Sequence, residues 1–120
     1  MNFLIVDDHA GLRAMIRDLV AGIATNIREC ISGEEAVAVC RHYNPDCITV
    51  DLRMHGMNGL TCVHQLRKLH PASHIAVVTQ FDNDELRVRA RQAGADTYIV
   101  KDNLELLQRY FQMLSTQLGE

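Results

Sequence analysis

The chain lacks the long apolar segment that a membrane span or a secretion signal needs. The apolar run at its start covers only residues 3–6, follows no basic residue and ends at the acidic pair Asp7-Asp8. A Gly-, Ser- or Pro-rich linker and internal repeats are also missing, and 120 residues is a usual size for one globular domain. These absences predict a single cytoplasmic domain over residues 1–120 that makes no contact with a membrane.

Lysine and net positive charge are scarce as well. The sequence has 12 basic and 15 acidic residues, a formal net charge of −3, and only Lys68 and Lys101 among the bases are lysine. Binding to nucleic acid generally needs a cationic surface, so we expect no direct nucleic-acid binding by this chain. Because arginine supplies nearly all the positive charge, each lysine position raises the question of what an ammonium group does there.

The spacings of cysteine and histidine that are typical of metal sites are absent. The four cysteines include no CxxC pair, and the six histidines include no HExxH or HxH pattern. Each cysteine lies in an apolar neighbourhood, so we expect buried, reduced thiols at Cys30, Cys40, Cys47 and Cys62.

What the sequence does contain is a regular alternation of short β-like runs and helical stretches. This strict alternation predicts an α/β fold in which a doubly wound, five-stranded parallel sheet carries helices on both faces. The first, third and fourth runs are apolar along most of their length, as is typical of central strands. The runs cover residues 3–6, 26–31, 47–50, 74–79 and 97–100, and the helical stretches cover residues 10–22, 33–43, 59–69, 83–93 and 103–118.

Several predicted helix ends carry their own signals. Ser32 and Asp82 each lie three residues before a Glu, a spacing typical of a residue that caps a helix start. Gly94 suits a helix end that turns through positive φ, and Pro71 should keep the third helix from running on.

Residues capable of chemistry stand at the ends of four predicted strands: Asp7 and Asp8, then Asp51, Thr79 and Lys101. Singly, each could be an ordinary cap, turn, strand or surface residue. The carboxyl ends of parallel strands, however, meet at one edge of a doubly wound sheet, where ligands bind. Clustered carboxylates repel one another unless a cation neutralises them, and Mg²⁺ prefers carboxylate and phosphate oxygens. Together these residues predict a cradle for Mg²⁺ and a phosphoryl group.

With these residues, the sequence resembles the response-regulator receiver domain of two-component signalling along essentially its whole length. The resemblance implies a flavodoxin-like (βα)5 fold. Within that family the chain most resembles the receivers that precede a LuxR-type helix-turn-helix, in the segments Asp7-Asp8-His9, Gly94-Ala95-Asp96 and Lys101-Asp102. The matching positions are the acidic pair Asp7-Asp8, the phosphoacceptor Asp51 in Asp51-Leu52-Arg53-Met54, the hydroxyl residue Thr79, the switch aromatic Tyr98 and the lysine Lys101.

The resemblance implies that Asp51 accepts a phosphoryl group from a histidine kinase or a histidine phosphotransfer protein, in a signalling protein that is not an enzyme. Lys101 would pair with Asp51 at rest and with a phosphoryl oxygen afterwards. The Thr79 hydroxyl would move toward another such oxygen, and Tyr98 would rotate inward into the space it leaves. The implied Mg²⁺ ligands are Asp7, Asp8, Asp51 and the backbone carbonyl of Arg53.

The same resemblance points to the fourth helix, fifth strand and fifth helix as the surface that changes. The last helix has an apolar stripe wider than one sheet face needs, so part of this surface could form a homodimer interface or an interface with an output domain. On the fourth helix three arginines form either a solvated face or a contact for an acidic partner. The stripe consists of Leu104, Leu107, Phe111, Leu114 and Leu118, widened by Leu106, Tyr110 and Met113; the arginines are Arg87, Arg89 and Arg91.

Three positions depart from the family pattern and bear on the rate or shape of the site. His55 stands where Pro is frequent, Gln80 where a small residue is usual, and Asp102 where a Pro often follows the lysine. His55 would either loosen the loop after Asp51 or place a titratable group near it, and Gln80 would narrow the access of water or phosphodonor. A trans peptide is expected before Asp102.

Other functions remain open at this level. A haloacid-dehalogenase-like phosphohydrolase also uses a strand-end Asp with Mg²⁺, but it needs a second Asp where Arg53 stands. A flavodoxin-like flavin binder needs a phosphate loop where Asp7-Asp8 would repel the cofactor. Within the family, the chain could be a free-standing receiver or the receiver half of a DNA-binding transcription regulator.

Overall fold

The computed structural model describes residues 1–117. Five strands form one sheet in which every neighbouring pair is parallel. In chain order the strands are β1 Asn2–Val6, β2 Asn26–Cys30, β3 Cys47–Val50, β4 His74–Thr79 and β5 Thr97–Val100. Their spatial order, β2-β1-β3-β4-β5, confirms the predicted doubly wound, flavodoxin-like sheet.

Five helices connect and cover these strands. A short 3₁₀ turn, Lys101–Asn103, precedes the last of them. No helix within residues 1–117 combines the length and the apolar character that crossing a membrane requires. The helices are α1 Ala10–Val20, α2 Gly33–Val39, α3 Gly59–Leu69, α4 Asp84–Ala93 and α5 Leu104–Gln117.

The apolar core lies in two layers, one on each face of the sheet. Alternate residues of a strand point to opposite faces, so Leu4 of β1 packs in the layer under α2 and α3, whereas Phe3 packs in the layer under α1 and α5. The Phe3 ring meets Phe111 of α5 edge to face at 5.0 Å between centroids. The three inner strands β1, β3 and β4 are buried on both faces, as their apolar sequences predicted.

The four cysteines are buried within this core, as predicted. Three of them share the layer under α2 and α3, and Cys47 lies in the other layer. Burial raises the pKa of Cys30 and Cys62 to about 12 and that of Cys40 to about 11. These three thiols therefore stay protonated at neutral pH and behave as small apolar side chains.

The helix caps confirm two of the predictions and correct a third. The Ser32 hydroxyl accepts a hydrogen bond from Glu35 N at 3.1 Å, and Gly94 ends α4 with a φ of 122°. The predicted cap Asp82 is wrong. Asn83 caps α4 instead, because its extended backbone aims Oδ1 at the amide of Leu86, 2.9 Å away.

Several element bounds differ from the predicted ones by a few residues. The helix after β1 ends at Val20 instead of residue 22, and α2 ends at Val39 instead of residue 43. Beyond these points the amides of Ile23 and His42 bond to carbonyls three residues back, so the backbone tightens into a turn after each helix. The edge strand β2 stops one residue before the predicted 31, and the last helix starts one residue after the predicted 103. Leu118 of the predicted stripe lies outside the described residues.

Candidate functional site

The acidic residues meet where two central strands end side by side. Val6 of β1 and Val50 of β3 are register partners, so the next residues, Asp7 and Asp51, leave the sheet at the same level. The Asp51 amide continues the pairing with a bond of 3.0 Å to the carbonyl of Val6. Between β1 and β3 the strand order reverses, which is where doubly wound sheets bind ligands.

Three carboxylates form a tight cluster at this edge. Asp7, Asp8 and Asp51 each offer a carboxylate oxygen, and the three oxygens lie within 4.8 Å of one another. Asp7 and Asp51 are 1% and 6% exposed, whereas Asp8 is open to solvent. Burial raises the pKa of Asp51 above its ordinary value, and the Asp7 carboxylate raises it further. Asp51 therefore lies where burial and a neighbouring carboxylate disfavour its charged form.

One lysine compensates this charge in part. The Lys101 ammonium lies 3.3 Å from Asp51 Oδ2 and 3.5 Å from Asp7 Oδ2, both long for charged hydrogen bonds. Within residues 1–117 the buried Asp7 Oδ2 accepts no hydrogen bond, which is costly for a carboxylate oxygen. The cluster has three acids for one base, and one of its carboxylate oxygens accepts no hydrogen bond in the described chain. Such an oxygen-rich, anionic set of groups matches the ligands of a hard divalent cation.

A cleft of about 460 Å³ opens over this cluster. His55 and Gln80, the two departures named above, are exposed and line it. The cleft therefore opens Asp51 to solvent beside these two side chains. The lining residues are Asp8, His9, Leu12, Asp51, Arg53, Met54, His55, Gln80 and Lys101.

Thr79 lies beside this group and does not line the cleft. It ends β4 opposite Val100 of β5, and its side chain is fully buried. The hydroxyl accepts a long hydrogen bond of 3.4 Å from the amide of Phe81. The structure thus gathers the three acids in one cluster, with Lys101 against Asp7 and Asp51. The Thr79 hydroxyl stays outside the cleft lining, bonded to the loop that follows β4.

Tyr98 reaches the same loop from β5. Its half-buried side chain donates a hydrogen bond of 2.7 Å from the hydroxyl to the carbonyl of Phe81. The Arg87 guanidinium of α4 stacks 4.9 Å from the ring centroid. Phe81 therefore joins Thr79 and Tyr98 through its two backbone groups, a link that no side-chain pattern in the sequence could indicate.

The loop after Asp51 is held from two sides. Gly59 begins α3 so close to this loop that a Cβ there would lie 2.3 Å from the Asp51 carbonyl oxygen. The Glu34 carboxylate of α2 accepts bonds of 3.1 and 3.2 Å from the amide of Met57. Sequence reasoning missed both positions, although a glycine in the first turn of a helix signals a close backbone approach.

Arg53 in this loop distinguishes the site from that of a haloacid-dehalogenase-like phosphohydrolase, which needs a second Asp at this position. Its amide lies 3.4 Å from Asp51 Oδ1, and its guanidinium stacks over the Phe81 ring at 4.7 Å from the centroid. A cation held against an aromatic ring supplies no general acid of the type which that reaction needs.

Comparison with known proteins places the chain among signalling domains. The profile of the response regulator receiver domain matches residues 3–111. The chain belongs to the response regulator receiver domain family. As a receiver it is 36% identical over 103 residues to the nitrate/nitrite response regulator protein NarL of Escherichia coli, with 84% of this chain matched. It is also 33% identical to the chemotaxis protein CheY of Thermotoga maritima, with 82% of each chain matched.

The relatives differ in how much of their own length this receiver spans. The match covers 48% of NarL, about half its length. Among solved structures, the receiver superimposes on the CheY4 chemotaxis protein of Vibrio cholerae with a TM-score of 0.84 and 25% identity, covering 93% of this chain and 96% of that one. A LuxR-family DNA-binding response regulator from Staphylococcus aureus gives a TM-score of 0.82 and 25% identity, covering 95% and 98%.

Proposed function

We propose that this receiver accepts a phosphoryl group on Asp51 from the phosphohistidine of a histidine kinase or a histidine phosphotransfer protein. The observation that carries the proposal is the position of the Asp51 carboxylate at the base of an open cleft, beside two further acids and one ammonium group. Membership in the receiver family supports the same role. We place this signalling in the cytoplasm.

The chemistry is a displacement at phosphorus. An Asp51 oxygen forms a bond to phosphorus, the bond between phosphorus and the histidine nitrogen breaks, and the nitrogen keeps that electron pair. The product is an acyl phosphate. The attacking carboxylate must be ionised, and the ammonium of Lys101 at 3.3 Å favours that form against the raised pKa of Asp51.

The residues present fit Mg²⁺. Asp7, Asp8, Asp51 and the carbonyl of Arg53 would hold the ion. The buried Asp7 Oδ2, which accepts no hydrogen bond in the described chain, is an oxygen that a hard cation could take as a ligand. A bound Mg²⁺ supplies positive charge that lets carboxylate and phosphoryl oxygens approach each other. Lys101 pairs with Asp51 at rest and shifts its ammonium to a phosphoryl oxygen after transfer.

The switch runs through the loop that follows β4. Thr79 gives up the Phe81 amide and bonds a phosphoryl oxygen, which moves the loop whose Phe81 carbonyl accepts the Tyr98 hydroxyl. Tyr98 then settles inward, and the surface of α4, β5 and α5 changes. This surface is where we place a partner or a second copy of the chain.

Gln80 and His55 tune this reaction from the cleft wall. Both are exposed at the mouth through which donor and water reach Asp51. Gln80 narrows that mouth, and His55 places an imidazole at the same mouth. If Gln80 has this role, Gln80→Ala changes the rate at which the acyl phosphate decays; an unchanged decay rate removes it from the mechanism.

The decisive experiment is phosphorylation by a small donor. Incubation with acetyl phosphate and Mg²⁺ should add the mass of one phosphoryl group to the intact protein, and EDTA should prevent the addition. Asp51→Asn should stay unmodified, whereas Asp102→Asn, which replaces an exposed acid outside the cluster, should be modified like the wild type. An unmodified wild type, or equal labelling of Asp51→Asn, contradicts the proposal.

A second proposal concerns the whole protein from which this receiver comes. The match spans only 48% of NarL, and the LuxR-family protein from Staphylococcus aureus that shares this fold is a DNA-binding response regulator. On these two observations we propose that the receiver regulates transcription through an attached output domain. The free-standing receiver, as in CheY of Thermotoga maritima, is the alternative. The encoding reading frame decides between them: a helix-turn-helix segment downstream supports regulation of transcription, and a stop codon after residue 120 excludes it.

A further inference from the structure

Arg13, in the first turn of α1, contacts the backbone of the acidic pair Asp7-Asp8. Its NH1 donates a hydrogen bond of 2.7 Å to the carbonyl of Asp7, and its Nε pairs with Glu29 Oε1 of β2 at 3.0 Å. The side chain is only 15% exposed. The carbonyl in question belongs to the peptide that joins Asp7 to Asp8, so the guanidinium fixes the unit that carries both carboxylates.

The two carboxylates of the pair depend on that peptide to different degrees. Asp7 is buried, and its Oδ1 already accepts a hydrogen bond of 2.8 Å from the amide of His9. Asp8 is exposed and stands two residues beyond the end of β1. The direction in which Asp8 leaves the chain is therefore set by the orientation of the peptide plane between them, which Arg13 holds.

We propose that Arg13 is a positioning residue for the divalent-cation site, acting through the Asp7–Asp8 peptide and anchored by Glu29. The inference rests on the proposed function, since that function places a cation on these acids. A guanidinium suits the task because its planar fork bonds the carbonyl and the carboxylate at the same time.

The direction in which the affinity for Mg²⁺ changes when Arg13 is removed distinguishes a positioning role from a purely electrostatic one. Arg13 is a cation near an acidic site, so if only its charge mattered, removing it would strengthen the binding of another cation. If it positions the acids, removing it weakens that binding. Arg17 gives the matched control, because it pairs with the same Glu29 at 3.1 Å, carries the same charge and makes no bond to Asp7.

The test compares Arg13→Met and Arg17→Met with the wild type. Calorimetric titration of each protein with MgCl₂ gives the dissociation constant, and melting curves in EDTA show that each variant is folded at the titration temperature. Arg13→Met should bind Mg²⁺ about 10-fold more weakly, as is usual when a group that orients metal ligands is lost. Arg17→Met, which loses the same charge, should bind at least as tightly as the wild type.

Arg13→Lys is a conservative variant that controls for misfolding of Arg13→Met. Its ammonium keeps the charge and reaches one partner at a time, so its affinity should fall between those of the wild type and Arg13→Met. Equal affinities of Arg13→Met and Arg17→Met, or tighter binding by Arg13→Met, overturn the inference and leave the proposed function standing. A wild type that binds no Mg²⁺ overturns both.

Discussion

Two ion-pair sites at opposite ends of the sheet use their charges in opposite ways. At the amino end, Arg67 of α3 pairs with Asp96 at 2.7 Å and donates to the carbonyls of Gly94 and Ser73 at 2.7 and 2.6 Å. Asp96 Oδ2 also accepts a bond of 2.9 Å from the amide of Ile75. At the carboxyl end, Lys101 contacts two acids at 3.3 and 3.5 Å, and one acid oxygen has no hydrogen bond among residues 1–117.

The difference follows from the chemistry of the two cations. The guanidinium of Arg67 presents several fixed donors and ties α3 to the segment before β4 and to the turn before β5. The ammonium of Lys101 is a mobile point charge that shares itself between two carboxylates. A saturated site, in which the charged groups are fully hydrogen-bonded, stabilises the fold. An unsaturated site has an acceptor without a hydrogen bond, so a ligand that pairs with it can add stability on binding. The predictions below test that division.

The largest effect is expected at the saturated site. Arg67→Met should lower the free energy of unfolding by about 3 kcal/mol, because it breaks the ion pair with Asp96 and removes the side-chain donor of several backbone carbonyls. Urea unfolding in EDTA measures the change, and Arg109→Met, an exposed arginine on α5, is the control. A loss no larger than that of the control would show that the amino-end network does not stabilise the fold.

The next effect is the response to metal. At ten times its dissociation constant, Mg²⁺ should raise the free energy of unfolding of the wild type by about 1.4 kcal/mol. Arg67→Met should gain the same amount, since the two sites lie at opposite ends of the sheet and share no partner. Removing Mg²⁺ with EDTA should reverse both gains. A gain that vanishes in Arg67→Met would mean that the two ends are coupled.

The smallest effect is a gain of stability on removing a charge. In EDTA at pH 7, Asp51→Asn should be more stable than the wild type by about 1 kcal/mol, because burial and Asp7 disfavour the charged form. Since the pKa of Asp51 is raised on folding, the folded state binds more protons than the unfolded state between the ordinary value of 3.8 and the raised one. The wild type should therefore lose stability relative to Asp51→Asn as pH rises through that window.

Unfolding of both proteins across that pH range checks the sign. Below the ordinary pKa, Asp51 is protonated in both states, so the advantage of Asp51→Asn should disappear there. An advantage that instead grows on acidification would mean that Lys101 overcompensates the burial of Asp51, and the carboxyl-end site would then stabilise the fold as the amino-end site does.

Much of the fold could be predicted because its signals are local. Alternating apolar runs and helical stretches specify the elements, and parallel strands bring their carboxyl ends to one edge wherever the chain order puts them. The misplaced cap shows the limit: Asp82 and Asn83 are both good capping residues, and only the backbone geometry at Asn83 selected it.

The positioning contacts could not be predicted in this way. Arg13, Glu34 and Phe81 all act on, or through, backbone groups of distant loops, and every residue offers the same backbone groups. The pattern of side-chain types that points to Asp51 or Lys101 therefore contains no trace of them. Such contacts become visible only once the loops are seen side by side.

Side-chain type and spacing along the chain are enough to predict the alternating fold, the burial of the central strands and the identity of the residues at the strand ends. Which of those residues touch depends on the tertiary structure. It placed Lys101 between two acids, left one Asp7 oxygen without a hydrogen bond in residues 1–117, and set the Thr79 hydroxyl back from the cleft. Charge balance and hydrogen bonding depend on distances of a few ångströms, and those are set by packing across the whole sheet.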